Sequence, residues 1–548
     1  MEIASSRDVV IVERSILRAV YLTLHNSLLE NKISLRAIRI FSRKDLPFYL
    51  IVFFSATSLK IVTELIAYPY PIGYDVINYY IPMLLNFENE WSTLSREYPF
   101  YIYVLHLAQN LTGLSVQTTV STFATFVFGL FAVSIFSLGK AIFKGSSVSA
   151  VLVALFVIVQ IPVLRTTWDL HRDMFALTMM FFAISILIYL RNTHPCRFPS
   201  LGVILCLLFT VLSVISDRMV GAWLIVVYFI YTIPHSERAV GLSLVVASVS
   251  FIVFLIIFGD GYSIISSSIR SIADADVTAQ IVGAEAPIND GYNRTNLISY
   301  FIALNVLLVP LAIIGYLQIK ETLLKISLMV ALVGSMTWLV LPSTRELVAD
   351  RWILLLGVAL SIFAGFGFVR TIQLISTRLR NSYSYILVSV PIFLIFAQFG
   401  VVYAVLPYEA QVSIIGLFDK NIQSFAPKSM QFNSVKVAQS PQIIDIIRWI
   451  NENTSEHTTV VGSGDWRGWF ISGLVGNRNF VSYERLANIF RDSTYNPHDQ
   501  LYLIDTKVSN DPVYQSRNFS FEGAIVYSNS LFTLYRILGF PQNVTLAN

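Results

Sequence analysis

Long apolar runs alternate with short polar segments along most of the chain. A hydrocarbon core of about 30 Å requires about 20 apolar residues per helix, and shorter runs can span beside protein neighbours. Eleven candidate runs cover residues 46–68, 118–138, 148–164, 174–190, 201–215, 220–233, 241–258, 297–317, 326–341, 352–369 and 385–406. Only the first run contains charged residues, Lys60 and Glu64, which lie four positions apart and can pair on one helix face. The pattern predicts a mainly α, polytopic membrane bundle of about eleven transmembrane helices.

The composition agrees with this pattern. Of the 548 residues, 55% are hydrophobic and 13% are charged, and the mean hydropathy is +0.65, which is too apolar for a large soluble enzyme. The net charge of +4 is small and the basic residues are spread along short loops, so no nucleic-acid partner is expected. Cys196 and Cys206 have neither CxxC nor metal-ligand spacing, so no disulfide framework is predicted.

The distribution of charge predicts an orientation in the membrane. Residues 1–45 are basic and show no cleavable signal, so we expect a cytoplasmic segment, either amphipathic on the inner surface or a soluble helix. Most Lys and Arg residues of the following connections then fall on the cytoplasmic side. All eight Trp residues and five N-x-S/T sequons fall on the other side. We therefore expect a multi-pass plasma-membrane protein with its C-terminus outside.

Three regions follow from these patterns. Residues 46–406 form the transmembrane module, with large outer loops at 69–117 and 259–296, and residues 407–548 form an extracytoplasmic tail. From Pro441 the tail contains a helical pattern in PQIIDIIRWINENT and strand-like segments in TTVVGSG, GAIVYSN and LFTLYRIL. This alternation predicts a small C-terminal α/β domain.

The first outer loop contains a carboxylate close to the end of the first predicted helix. Asp75 lies in PYPIGYDVINYY, with Tyr79 and Tyr80 about one helical turn further on. A partly buried aspartate can act as a general base towards a hydroxyl, because burial raises its pKa. An aspartate at the start of a helix can equally be an N-cap on a solvated loop. The spacing leaves both interpretations open.

Acidic and basic residues also occur together in three other predicted outer turns. The turns are RTTWDLHRDMF with Arg165, Asp169, His171, Arg172 and Asp173, SDRMVGAW with Asp217 and Arg218, and STRELVADRW with Arg345, Glu346, Asp350 and Arg351. Ionisable groups at a membrane rim are costly unless they are paired. Either they form ion pairs within each turn, such as Asp217 with Arg218, or the arginines bind an anion such as a lipid phosphate. Asp169 and Asp173 lie four residues apart and could share a helix face.

The first outer loop resembles that of the GT-C superfamily of polyprenyl- and dolichyl-phosphate-sugar glycosyltransferases. Asp75, Tyr98, Pro99, Thr112 and Gly113 match the acidic residue after the first helix, the YP segment and the TGL-like turn of that superfamily. Turns of the form W-D-L-x-R-[DN] occur in archaeal GT-C-like proteins as well. The resemblance implies that Asp75 is catalytic and that the second outer turn lines the donor site.

The resemblance also implies a function. A sugar would pass, with inversion, from a polyprenyl- or dolichyl-phosphate donor to an acceptor hydroxyl of a glycan, lipid or protein on the outer face of the membrane. The expected substrate-binding residues are Tyr79, Tyr80, Asp169, His171, Arg172, Asp173, Asp217, Arg218, Arg345 and Arg351. Among the arginines, Arg351 is the first candidate for the phosphate, followed by Arg172 and Arg218. No cofactor is firmly predicted, and a divalent metal stays open because the acidic residues do not form a closed ligand set.

Two alternatives are retained. The tail segment SGDWRGWFISG loosely resembles the WWD-type segment of oligosaccharyltransferases, another GT-C branch, but Asp465, Trp466 and Trp469 occur in a different order. Transfer of a glycan to protein asparagine is therefore the first alternative, although these tryptophans would serve equally as an aromatic domain core. The second alternative is a transporter or scaffold. Transporter sites are marked by broken or charged helices near the midplane, and only the first predicted helix carries charge.

Overall fold

The structure is a computed structural model that describes residues 43–68, 72–85, 87, 99–193, 201–235, 237–258, 294–340, 349–379, 389–395, 397, 440–463, 466–482, 500–507 and 522–539. Within these ranges the chain forms a helical bundle followed by a small sheet with two helices. The predicted cytoplasmic segment 1–45 and the outer loop 259–296 lie almost entirely outside the described residues.

Helices occupy each of the first ten predicted apolar runs, and shorter helices occur in the first outer loop. The bundle contains α1 (Leu46–Ala67), a π-helical turn (Val76–Tyr80), α2 (Ile81–Leu85), α3 (Pro99–Thr112), α4 (Val116–Ile142), α5 (Ser147–Ile158), α6 (Ile161–Asp169), α7 (His171–Thr193), α8 (Leu201–Ser216), α9 (Arg218–Thr232), α10 (Arg238–Phe258), α11 (Arg294–Asn305), α12 (Val309–Gln318), α13 (Thr322–Val340) and α14 (Asp350–Leu379). The eleventh predicted run, 385–406, lies largely outside the described residues.

Several of these helices are suited to a membrane. Among the described residues, four segments are long and apolar enough to cross it, namely Leu46–Leu65, Val116–Ile142, His171–Asn192 and Arg351–Thr377, and α5 with α6 adds a fifth if the bent pair counts as one span. The other apolar helices are shorter. The structure therefore fits a multi-pass membrane protein, whereas the number of eleven spans stays a prediction.

Two predicted runs are each divided into two helices, so the expectation of single helices was wrong there. Run 148–164 forms α5 and α6, which meet at an angle of 63°, and run 297–317 forms α11 and α12. A proline lies just after each break, Pro162 in α6 and Pro310 in α12. A proline ring clashes with the carbonyl group four residues earlier, which for Pro162 is that of Ile158, the last residue of α5.

The centre of the bundle is formed by α7 and α14, which are almost wholly buried. Two glycines allow α12 and α14 to pack closely. A Cβ atom at Gly367 would lie 1.9 Å from the carbonyl oxygen of Leu311, and one at Gly315 would lie 2.0 Å from that of Phe363. Helices that associate in a membrane commonly approach through such small residues. By contrast, α1 exposes large apolar side chains such as Phe54 and Leu65, as a lipid-facing helix does.

The C-terminal part of the chain forms a five-stranded mixed sheet. Its elements are α15 (Ser440–Asn453), β1 (Thr458–Gly462), α16 (Arg467–Gly473), β2 (Asn479–Ser482), β3 (Gln500–Thr506), β4 (Glu522–Ser528) and β5 (Phe532–Gly539). The strand order is β2-β1-β3-β5-β4, with parallel pairing of β1 to β2 and β3 and antiparallel pairing of β5 to β3 and β4. The predicted helix and the three predicted strands agree with α15, β1, β4 and β5, whereas β2, β3 and α16 were not predicted.

Trp466 and Trp469 belong to the apolar core of this C-terminal sheet. They are 0% and 5% exposed, and the ring of Trp466 meets that of Phe532 edge to face at 5.1 Å. Both side chains therefore serve as core aromatics, which is one of the two roles that the sequence left open.

Candidate active site

Charged side chains from four separate turns meet at one end of the bundle. The Nη2 atom of Arg351, at the start of α14, lies 3.6 Å from Oδ2 of Asp75, which directly precedes the π-helical turn. The Nε atom of Arg172, at the start of α7, lies 2.9 Å from Oδ2 of Asp217 and 3.4 Å from Oδ1 of Asp173. The four predicted outer turns that supply these residues are distant in sequence, so the fold assembles them into one charged cluster.

Asp75 is positioned by a sharp turn of the chain after α1. Gly73 has a φ of 114°, a backbone conformation that favours glycine, and its carbonyl oxygen accepts a hydrogen bond of 3.1 Å from the Ile77 N–H. Asp75 occupies the N-cap position of the π-helical turn, but its side chain makes no capping hydrogen bond. The residue is 8% exposed. These observations disfavour the interpretation of Asp75 as a helix cap on a solvated loop.

Burial and the neighbouring positive charges have opposite effects on the pKa of Asp75. Burial raises the pKa of the Asp75 carboxyl above its ordinary value, although the charges of Arg351, Arg172 and Arg165 act in the opposite direction. A carboxylate whose charged form is destabilised in this way binds a proton more readily than one in water. Asp75 can therefore accept a proton from a hydroxyl group placed beside it.

Arg172 holds two carboxylates together. Asp217 also caps α9, because its side chain accepts a hydrogen bond of 2.8 Å from the Val220 N–H. Burial acts to raise the pKa of Asp217, but the Arg172 charge and the Val220 N–H outweigh it and hold this pKa below its ordinary value. The ion pair between Asp217 and Arg172 thus joins two turns.

Aromatic rings line the space between Asp75 and the start of α7. Tyr80 is buried and stacks on the ring of His171, with centroids 5.6 Å apart. Tyr101 of α3 lies on another side of Tyr80, at 5.4 Å. The guanidinium of the buried Arg165 lies 5.8 Å from the centre of the Trp168 ring. Aromatic rings therefore pack beside the charged groups in this part of the bundle.

The predicted pair on α1 is present and lies near this site. The Nζ atom of Lys60 is 2.6 Å from Oε1 of Glu64, and Lys60 is 1% exposed. The hydroxyl of Ser121 on α4 donates a hydrogen bond of 2.9 Å to Oε2 of Glu64. Lys60 is close enough to act electrostatically on His171. The sequence predicts the pair but not its proximity to the charged cluster.

The predicted site residues not yet located are Tyr79, Arg218, Arg345 and Asp169. Tyr79 is half-buried beside Tyr74, at a centroid distance of 6.5 Å, and Arg218 is half-buried at the start of α9. Arg345 and the side chain of Asp169 lie outside the described part of the chain. The helix α6 ends at Asp169 and a new helix starts at residue 171, so the expectation that Asp169 and Asp173 share the face of one helix was wrong.

Asn78 and Gly468 were not predicted as residues of the site region, and Arg165 was predicted only as one of the charged residues of the second outer turn. The backbone N–H of Gly468 in α16 donates a hydrogen bond of 2.9 Å to Oδ1 of Asn78 in the π-helical turn. No local pattern indicates that residues 390 positions apart meet. Among the described residues, no three His, Cys, Asp or Glu side chains are grouped so that they could hold a metal ion.

Comparison with known proteins finds similarity among solved structures. No protein-family model matches the chain, and no curated protein matches it. Among solved structures, the chain is similar to the arabinofuranosyltransferase AftD from mycobacteria, determined by single-particle cryo-EM, with 10% sequence identity and a TM-score of 0.46. The likeness covers 92% of this chain and 40% of AftD, so the chain spans less than half the length of that protein.

Proposed function

We propose that the chain is a membrane glycosyltransferase that transfers a sugar from a polyprenyl- or dolichyl-phosphate donor to an acceptor hydroxyl on the outer face of the membrane. The observation that carries this proposal is the meeting of Asp75 with Arg351, a buried carboxylate of raised pKa beside a partly exposed guanidinium. A reaction that removes a proton from a hydroxyl and releases a phosphate requires one group of each kind.

The proposed step is a single displacement. Asp75 takes the proton of the acceptor hydroxyl while the hydroxyl oxygen forms a bond to the anomeric carbon of the donor. The bond between this carbon and the phosphate oxygen breaks, and the lipid phosphate leaves with the electron pair. Because attack and departure occur on opposite sides, the configuration at the anomeric carbon is inverted. Asp75 then returns its proton to solvent.

Arg351 is the arginine best suited to bind the leaving phosphate. Its side chain is 26% exposed, and its distance of 3.6 Å to Asp75 exceeds that of a normal hydrogen bond. Its partly exposed guanidinium is accessible to a phosphate bound beside Asp75. Since Arg351 is also the charge that lowers the Asp75 pKa most, a phosphate that engages Arg351 would make Asp75 a stronger base at the moment of reaction.

Arg172 has a different role in this proposal. Its side chain is less exposed than that of Arg351 and contacts both Asp217 and Asp173. Removing it would take away the positive charge that contacts both of these buried carboxylates. We therefore assign Arg172 mainly to holding this part of the site together, while Arg218, Tyr79, Tyr80 and His171 are proposed to line the sugar-binding space. The boundaries proposed from sequence, 1–45, 46–406 and 407–548, are retained as cytoplasmic segment, membrane module and outer domain.

Mass spectrometry of surface glycans and lipid-linked sugars tests the function. Cells with the wild-type chain are compared with cells that lack it and with cells carrying Asp75→Asn, which keeps the size of the side chain but cannot accept the proton. We expect both altered strains to lose the same glycan and to accumulate the same lipid-linked sugar, because general-base catalysis contributes on the order of 100-fold or more.

A matched control is Asp445→Asn, which removes an exposed carboxylate paired with Arg448 on the surface of α15. This variant should retain the wild-type glycan profile. If neither the deletion nor Asp75→Asn changes glycans or lipid-linked sugars, the chain is not this enzyme, and a transporter or scaffold becomes the better interpretation.

A further inference from the structure

The C-terminal sheet and the turn that carries Asp75 are joined by a close backbone contact. The N-terminal part of α16 lies directly against the π-helical turn, where the Gly468 N–H donates to Oδ1 of Asn78. Ile77 of the same turn is 2% exposed and belongs to the apolar core of the sheet, together with Trp469 and Phe470. The turn is therefore shared between the membrane bundle and the C-terminal part of the chain.

The sequence explains why a backbone carbonyl group of this turn is available to a neighbouring element. The N–H of Ile81 donates to the carbonyl oxygen of Val76, five residues earlier, as in a π-helix. In the same register the donor for the Ile77 carbonyl would be residue 82, which is Pro82 and has no N–H. The carbonyl oxygen of Ile77 consequently lacks its helical partner and faces the neighbouring element.

Only glycine fits against this carbonyl at position 468. A Cβ atom there would lie 1.9 Å from the carbonyl oxygen of Ile77, 2.4 Å from its carbonyl carbon and 2.7 Å from the Cα atom of Asn78. All three atoms belong to the backbone, so no side-chain rotation can relieve the overlap. The Cα of Gly468 instead makes the close C–H contact to a carbonyl oxygen that is common between packed elements.

We propose that the joint formed by Gly468, Ile77 and Asn78 is a positioning element of the active site, through which the C-terminal part of the chain holds Asp75 in place opposite Arg351. The inference rests on the proposed function, since it assigns a role in the same site. Asn78 and Gly468 act through the backbone of the turn and do not touch substrate. Asp75 lies only two residues before Ile77, so a displacement of the joint moves the carboxylate with it.

The experiment compares four full-length proteins purified in detergent: wild type, Gly468→Ala, Asn78→Ala and the control Gly241→Ala. A Cβ atom at Gly241 meets no atom within 4 Å, so this control adds the same methyl group harmlessly. Hydrogen exchange measured by mass spectrometry reports on the turn through peptides covering residues 72–85, and on the sheet through peptides covering 500–507. We expect faster exchange in the turn for Gly468→Ala and Asn78→Ala, with unchanged exchange in the sheet and in the control.

The same purified proteins are then assayed for consumption of the lipid-linked sugar across a range of pH. For Gly468→Ala we expect a loss on the order of 100-fold, the effect of misplacing a catalytic group by about 1 Å, and a smaller loss for Asn78→Ala. The pH at which activity is half-maximal should also move, because burial and Arg351 set the Asp75 pKa. If a variant merely contained less folded protein, its activity would fall at every pH. The pH of half-maximal activity would then stay the same.

The outcomes separate this proposal from the proposed function. If Asp75→Asn abolishes transfer but both joint variants loosen the turn and retain wild-type activity and midpoint, the positioning role is wrong and the enzyme stands. If hydrogen exchange in the turn is unchanged in Gly468→Ala and Asn78→Ala, the contact does not hold the turn and the proposed joint is wrong. If Asp75→Asn remains active, the proposed function fails whatever the exchange data show. If Gly468→Ala unfolds the sheet, the positioning role is tested with Asn78→Ala alone. This variant inserts no atom into the contact.

Discussion

Arg351 affects Asp75 by its charge even when no substrate is bound. Asp75 acts as a base only in its ionised form, so transfer should fall as the pH is lowered through its raised pKa. Replacing Arg351 with alanine removes the charge that lowers this pKa most. We therefore predict that Arg351→Ala shifts the acidic limb of the pH–rate profile to higher pH, in addition to lowering the maximal rate through loss of the phosphate contact.

Arg351→Lys separates the two effects. Lysine keeps the positive charge but cannot form the paired hydrogen bonds of a guanidinium to a phosphate, so this variant should lose rate with a midpoint close to that of the wild type. Arg448→Ala, which removes an exposed arginine from α15, serves as the control with an unchanged profile. An Arg351→Ala profile with the wild-type midpoint would show that Arg351 does not influence the base.

At the level of single residues, the sequence predicts the chemistry of the site better than its contacts. Asp75, Arg172 and Asp217 stand out because charged residues are expensive at a membrane rim. Their partners depend on how the helices pack, so that Asp217 meets Arg172, 45 positions away in sequence. Local spacing contains no information about such distant pairs.

At the level of elements, hydrophobic runs locate the helices but not their interruptions. The runs at 148–164 and 297–317 are long and almost wholly apolar, and the local signals of the breaks are one polar residue and one proline in each, Gln160 with Pro162 and Asn305 with Pro310. The break after α5 turns α6 by 63°. The second predicted outer turn thus consists of the end of the short helix α6 and the start of α7, where Arg172 lies. The π-helical turn after Asp75 leaves no periodic signal either, because it is only five residues long.

Asp217 links the start of α9 to the charged cluster, and two substitutions can separate its roles. Asp217→Asn retains an oxygen for the Val220 N–H but loses the charge that Arg172 contacts, whereas Asp217→Ala loses both. We predict that the alanine variant is less stable than the asparagine variant by about 1 kcal/mol, the usual contribution of an N-cap. Thermal unfolding of the purified proteins in detergent measures the difference.

The same residue predicts how stability changes with pH. The folded pKa of Asp217 is depressed, so its ionic contribution is fully present above the ordinary carboxyl pKa and is lost as the pH falls through the folded value. Acidification should therefore reduce the stability difference between wild type and Asp217→Asn. A difference that stays constant down to low pH would show that the Arg172 contact does not stabilise the fold.

At the level of the whole molecule, the charge distribution predicts which end of the bundle faces the cytoplasm. In the structure, ion pairs lie at both ends of the bundle. The charged cluster lies at the C-terminal end of α1 and the N-terminal end of α7. Ion pairs at the opposite ends of these helices join Asp45 to Lys140 and Arg191 to Glu321. Two charged layers at the two ends of an apolar bundle are what a membrane-spanning protein requires.

Cysteine labelling tests the predicted orientation directly. Single cysteines are placed at Asp445 on α15 and at Lys320 between α12 and α13, both exposed positions, in a chain with Cys196→Ser so that only the buried Cys206 remains. A membrane-impermeant maleimide should label Asp445→Cys in intact cells and Lys320→Cys only after permeabilisation. Labelling of Lys320→Cys in intact cells would reverse the orientation and place Asp75 and Arg351 on the cytoplasmic side. The donor would then have to be presented in the inner leaflet, so this experiment determines which pool of lipid-linked sugar the site can reach.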